Sequence, residues 1–236
     1  MLNKVIVATD LSEDSDALVS CLGGLKAYDT ERCLLLLCLS SEETASIGLF
    51  YSTQRLDQSL QAQKESLERQ GFLVEARPLS GDWTGEINQI ANDEGCSAIV
   101  VGAQRRPKIS ELFFSGVVDN IMHHAQKPVL VIRLKEKPRA KGACVESMGG
   151  DLSSHVLFAT DFSDTADIAF SYLVEMIAGG AGKVTLLHVQ ARARVGPYPE
   201  GRLEEFAEID RDRLQEMKRL LQAKADVAVE TILRHG

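Results

Sequence analysis

Ser97-Ala98-Ile99-Val100-Val101-Gly102-Ala103-Gln104-Arg105-Arg106, then Phe113-Phe114-Ser115-Gly116-Val117, then Pro128-Val129-Leu130-Val131-Ile132, is the stretch whose reading decides the fold. Ala98 to Val101 is short, apolar and β-branched, which suits a strand buried on both faces of a parallel sheet. A glycine-bearing loop follows it, a helix is expected to begin near Ser115, and Pro128 to Ile132 reads as a second buried strand. A strand opening through small residues into a helix N-terminus is an arrangement that holds phosphate. The backbone can approach closely, and the unpaired N–H groups and helix dipole favour negative charge. Arg105 breaks the run of small residues.

The residues before this stretch repeat the same grammar. Val5 to Asp10 is an apolar run ending in an acid, and Ser12, followed by Glu13 and Asp14, is a helix N-cap with acids placed to complement the dipole. Leu18, Leu22 and Leu25 give that helix its apolar face. Cys33 to Leu39 is the next strand, and Ser40 to Ser52 reads as irregular. Leu56, Leu60 and Leu67 share one helical face ended by Gly71. Phe72 to Pro78 is a strand, and Thr84 to Glu94 a helix stopped by Gly95. Strand and helix alternate five times with short connections, which predicts an α/β fold: an open parallel five-stranded sheet with helices on both faces, Rossmann-like.

Composition narrows the function. The chain has 236 residues, 44% hydrophobic and 25% charged, with a net charge of -8. That balance argues against a nucleic-acid binder or an anionic-membrane binder, both of which need a basic surface. The longest apolar run, Cys33 to Leu39, is strand-sized, far short of the roughly 18 residues of a membrane span, so no membrane insertion is expected. The chain enters its first strand directly, with no signal peptide expected, and its five cysteines form no CxxC pair; a cytoplasmic location is the expectation.

After a basic and then small, polar stretch, read as a linker over 135–152, the chain restates itself. Val156 to Ser163 repeats Val5 to Ser12, sharing Ala-Thr-Asp-x-Ser at an offset of 151. Val184 to Val189 restates the Cys33 to Leu39 strand. Leu203, Phe206, Leu214, Met217 and Leu221 are expected to form the core stripe of a long helix matching Leu56 to Gln70, and Val227 to Gly236 restates Leu73 to Gly81. Self-similarity on this scale signals a duplicated domain: one over 1–134, and a second over 153–236 that lacks the last two strands and helices of the first. A fragment of a longer protein is the expected explanation of that shortfall.

On these residues the chain resembles a tandem universal stress protein. The motifs that carry the resemblance are Ala-Thr-Asp-x-Ser in both copies, Ile99-Val100-Val101-Gly102, and Ser115-Gly116-Val117-Val118 continuing through Ile121-Met122-His123-His124-Ala125 to Lys127-Pro128-Val129. The resemblance implies an adenine-nucleotide site. Its adenine half is Ala8, Thr9 and Asp10 with Leu39 in the first copy, and Thr160 and Asp161 with Val189 in the second. Its phosphate half is Val101, Gly102, Arg105, Ser115, Gly116 and Val117. The family pattern has a second glycine where Arg105 stands and Gly-Ser where Ser115-Gly116 stands. Arginine adopts positive φ only at a cost, yet its guanidinium suits phosphate oxygens, and both readings stand. ATP or AMP is the cofactor implied, with no metal beyond nucleotide-associated Mg. The resemblance also implies a homo-oligomer through Val129 to Ile132, and a protein partner that the sequence leaves unknown.

Two other functions compete. One is a nucleotide-free dimerisation or protein-interaction module using that last strand. The other is a slow ATP-hydrolysing enzyme, which lacks the glycines of an ATP pyrophosphatase at Leu11 to Ser15 and any evident nucleophile–base pair. Several residues have plain structural readings. Asp10 and Asp161 are also helix N-terminal acids. His123 and His124 point about 100° apart, so one should pack and one be solvated, with no metal between them. His188, inside an apolar strand, reads as a core histidine. Arg105-Arg106 reads equally as a solvated loop, Trp83 as a staple at a helix start or a partner contact, and Gly179 to Gly182 as a helix-to-strand turn.

Overall fold

Apolar runs without alternation form central strands, because both faces of a parallel sheet are covered and every side chain must be accommodated in a core. In the computed structural model, which describes residues 2–39, 53–80, 83–104, 116–134, 154–180, 182–190 and 200–236, β1 (Lys4–Thr9) and β2 (Arg32–Leu39) are buried almost from end to end. The chain divides into two units, Met1–Gly150 and Asp151–Gly236.

Unit 1 continues with α1 (Glu13–Ser20), which precedes β2, then α2 (Thr53–Arg69), β3 (Leu73–Ser80), α3 (Trp83–Asp93), β4 (Ala98–Gln104), α4 (Gly116–His124) and β5 (Val129–Leu134). The sheet order is β3-β2-β1-β4-β5 and every pairing is parallel. This is the expected open five-stranded parallel sheet. Ile6, Ala8, Leu34, Leu36, Ile99 and Val101 pack on Ile87 and Ala91 of α3 and on Val118 and Ile121 of α4. Their alternate neighbours face the other side, where α1 meets β4 and β5, and α2 meets β2 and β3. Because β2 and β3 lie to one side of β1 and β4 and β5 to the other, the connections diverge between β1 and β4. Open α/β sheets bind ligands in the crevice at that point.

Local chemistry explains the element ends. The Ser12 hydroxyl accepts from the Ser15 N–H at 3.2 Å and caps α1. The expected single helix through Leu25 is instead α1 followed by a 3-10 stretch, Leu22–Tyr28. Gly23-Gly24 weakens the α-helical ladder there, yet Leu18, Leu22 and Leu25 stay fully buried. Gly71 (φ +88°) and Gly95 (φ +62°) adopt the left-handed conformation that ends α2 and α3. Both His123 and His124 are exposed, contrary to the expectation that one would pack, because the buried face of α4 is already filled by Val118 and Ile121.

Unit 2 contains β6 (Val156–Thr160), α5 (Asp164–Ala178), β7 (Lys183–Gln190), α6 (Glu200–Lys224) and β8 (Ala228–His235). Its parallel sheet, β6-β7-β8, reproduces the order and register of β1-β2-β3. The core joins Leu173 and Ile177 of α5, Val184 and Leu186 of β7, and Leu214 and Leu221 of α6. Phe206, expected in that stripe, is 37% exposed, and Ala207 holds the buried position. The stripe reads backwards from Leu221 and Leu214 to Ala207 in steps of seven, so Phe206 is one residue off the face.

Candidate functional site

The site begins where β1 ends. Thr9, 1% exposed, accepts the Leu11 N–H on its hydroxyl oxygen at 3.0 Å and donates its proton to Gln63 Oε1 of α2 at 2.8 Å. Asp10 Oδ1 accepts the Ser12 N–H at 3.0 Å and the Ser15 hydroxyl at 2.5 Å. These bonds curl the chain so tightly that Leu11 sits at φ +59°, a conformation costing a non-glycine residue about 1 kcal/mol or more. Burial pushes the Asp10 carboxyl upward, but the hydrogen bonds from Ser12 and Ser15 outweigh it and hold the group below its ordinary value. It is therefore a carboxylate at neutral pH, and both of these hydrogen bonds fall on its Oδ1.

Unit 2 forms the same turn. Phe162, at φ +59°, donates its N–H to Thr160 Oγ1 at 3.0 Å, and Ser163 donates its N–H to Asp161 Oδ1 at 3.0 Å. Alanine at 166 takes the place of Ser15, so the Ser163 hydroxyl itself bonds Asp161, at 2.6 Å. The hydrogen bond from Ser163 lowers the Asp161 carboxyl pKa as well.

The expected site residues separate by role. Ala8 and Val101 are core residues behind the turn, in one cluster with Ile6 and Cys38. The Thr9 and Thr160 side chains are buried, and the Thr9 hydroxyl accepts from its own loop and donates to α2. Asp10 and the half-buried Leu39 and Gly102 lie at the C-terminal ends of neighbouring strands. Gly116 is the first residue of α4 and Val117 follows it. Arg105 and Ser115 lie outside the described residues. Val189 needs correcting. Thr9 pairs with Leu37 and Thr160 with His188, so the counterpart of Leu39 is Gln190, whereas Val189 matches Cys38 and is 51% exposed. A one-residue slip in a strand moves a side chain to the other face.

Sequence reasoning missed two polar tethers. Gln63, 3% exposed, accepts from Thr9 and donates to Asp16 Oδ1 at 2.6 Å, joining α2 to β1 and α1. Its signal was a polar residue inside the Leu60–Leu67 stripe. The second tether centres on His188. The residue is buried as expected, but Nδ1 lies 2.7 Å from the Thr160 carbonyl oxygen and Nε2 3.4 Å from Asp210 Oδ2. Gln190 Nε2 also donates to Asp210, at 2.6 Å, the Phe162 ring packs 4.5 Å from the imidazole, and the Arg213 guanidinium lies over the Phe162 ring, 5.2 Å from its centroid. Among the described residues no group of three His, Cys, Asp or Glu is placed to hold a metal, and no helix is long and apolar enough to cross a membrane.

Comparison with known proteins agrees with this geometry. The sequence model of the universal stress protein family matches twice, over residues 1–133 and 153–236. Universal stress protein MJ0577 of Methanocaldococcus jannaschii is 26% identical over 157 residues, 57% of this chain and 97% of its own length. Among solved structures, a universal stress protein from Archaeoglobus fulgidus superposes with a TM-score of 0.67 at 20% identity, covering 99% of this chain and 77% of that one.

Proposed function

The chain belongs to the universal stress protein family, and from that premise we propose that it is a stress-response binding protein whose unit 1 takes an adenine nucleotide, AMP or ATP. The base lies against Leu39 at the ends of β1 and β2. Asp10 accepts from its exocyclic amine through the oxygen left over by the turn. The phosphates, with their Mg when ATP is bound, run toward Gly102, Gly116 and the start of α4, a helix N-terminus that favours negative charge. Arg105, Ser115 and Val117 complete that half. The observation that supports this reading most is the turn itself: a left-handed non-glycine residue and an acid below its ordinary pKa, held at the sheet's divergence point. Backbone strain of this kind concentrates at functional sites.

Calorimetric titration with AMP, ADP and ATP tests it, on wild type, Asp10→Ala and Arg105→Gly. Saturable binding that Asp10→Ala weakens supports the site, and no binding of any nucleotide to any of the three proteins removes it. Stronger ATP binding by Arg105→Gly alone identifies Arg105 as an obstacle rather than an anion clamp. Binding rather than turnover is the assigned role, and steady phosphate release from ATP is the result that would replace it with the enzyme reading. The compartment proposed is the cytoplasm.

A second reading, a homo-oligomer acting through a protein surface, is favoured by the position of β5. It is the edge strand of the sheet, paired with β4 alone among the described residues, and Val129 to Ile132 are only half-buried. Edge strands of this composition pair with other chains. Light scattering that finds only monomer at working concentration would sink it.

A further inference from the structure

We infer that Gln63 is a positioning residue of the unit 1 nucleotide site: by taking the Thr9 hydroxyl proton it ties the loop that presents Asp10 to α2 and holds it in place. This rests on the nucleotide reading above and adds a determinant to it from a helix outside the family motifs.

A threonine hydroxyl has one proton and a free rotor. Leu11 can donate to Thr9 Oγ1 in the observed geometry only while the hydroxyl proton points elsewhere, and Gln63 Oε1, at 2.8 Å, is the acceptor that takes it. The amide cannot simply flip, because its Nε2 donates to Asp16 Oδ1 at 2.6 Å on the far side. Gln63 thus reads the two groups in one orientation: donor toward a carboxylate, acceptor toward a hydroxyl. The hydroxyl then accepts the N–H of the strained Leu11, and the next residue's N–H goes to Asp10. A buried polar chain of this sort is specific because each member is left unsatisfied if one is removed.

Unit 2 provides the internal comparison. An offset of 154 relates Leu60 to Leu214 and Leu67 to Leu221, the buried pairs of the two long helices, and the same offset takes Gln63 to Met217. Methionine offers no donor, and unit 2 ties its long helix to the sheet elsewhere, through Asp210 and His188 to the Thr160 carbonyl. The counterparts of Asp210 and His188 in unit 1 are Leu56 and Leu37. The helix accepts methionine at this position without losing its core stripe, so the glutamine is there for its amide and not for packing.

The test uses the full chain with Gln63→Met, Gln63→Glu and Thr9→Val, measuring AMP affinity by calorimetry and amide hydrogen exchange of Leu11 and Ser12. Gln63→Met should weaken AMP binding at least tenfold and speed exchange of the Leu11 amide, while thermal unfolding remains cooperative. Thr9→Val should reproduce the loss, and the double variant should add nothing further, since both remove one link. Gln63→Glu should bind poorly at high pH, where a second carboxylate faces Asp16. Relative to wild type at the same pH, it should recover toward pH 5, where a protonated glutamic acid reproduces the donor and acceptor of the amide. A purely structural residue would not give that pH-dependent rescue of affinity. If wild type binds AMP and Gln63→Met binds within twofold of it, the inference is overturned and the nucleotide reading stands. If wild type binds no nucleotide, the nucleotide reading falls and takes this positioning role with it, whatever the exchange data show.

Discussion

Replacing Asp10 with alanine removes the acceptor for two hydrogen bonds, from the Ser12 N–H and the Ser15 hydroxyl, while leaving the Ser12 cap on α1 in place. Hydrogen bonds to a charged group contribute about 1.5–3 kcal/mol each when the alternative is an unsatisfied buried partner. Asp10 is half-buried, so water recovers part of the loss; we expect about 2 kcal/mol of destabilisation. The single tryptophan, Trp83, belongs to unit 1, so urea unfolding followed by its fluorescence reports that unit. With a slope of about 2 kcal/mol per molar, the midpoint should fall by about 1 M. The pH dependence has a definite sign. The folded carboxyl lies below its free value of 3.8, so its stabilisation is complete above that value and is lost as pH falls through the folded value. The difference between wild type and Asp10→Ala should therefore be constant near neutrality and shrink in acid. A midpoint within 0.2 M of wild type, by the same slope, or a gap that widens in acid, would refute the account of this turn.

Gly71→Ala places a side chain at φ +88° where the nearest atom, Lys26 Cε, is 3.5 Å from the new Cβ. The space is ordinary, so backbone conformation alone should cost unit 1 about 1–2 kcal/mol in the same urea assay. Glu94 is bonded by Lys4 and Arg77, and the hydrogen bond from Lys4 leads in lowering its carboxyl pKa. Glu94→Gln should cost about 1 kcal/mol or less, and the difference from wild type should diminish with added salt and as pH falls through the depressed value. His188→Ala removes the contacts to the Thr160 carbonyl and Asp210 and the ring contact to Phe162. It should destabilise unit 2 by about 2 kcal/mol, read as faster exchange of the β7 amides with unit 1 amides unchanged.

The fold was legible because its signals are local and redundant. Val5 to Thr9, Cys33 to Leu39 and Ala98 to Val101 are apolar without alternation, Ser12 and Ser163 cap the helices after them, and Gly71 and Gly95 close two more. The half of the site carried by Ala-Thr-Asp-x-Ser was legible for the same reason: Thr9 to Ser15 bond mostly to each other. What escaped the sequence was long-range. Gln63 lies 54 residues from the hydroxyl it holds, and Asp210 reaches His188 from a different element. A polar residue in an apolar stripe signals a buried partner but does not name it. Val189 and Phe206 were misplaced by one residue each. Several neighbouring apolar residues satisfy a pattern equally, and only pairing and packing choose among them.

The central claim is that unit 1 holds an adenine nucleotide on the turn built by Thr9, Asp10 and Leu11. Calorimetric titration of the full chain with AMP, alongside Asp10→Ala, tests it most directly. The account predicts saturable binding to wild type and at least tenfold weaker binding to the variant. Absence of heat with wild type at saturating AMP, ADP and ATP, or equal affinity in the two proteins, would contradict it.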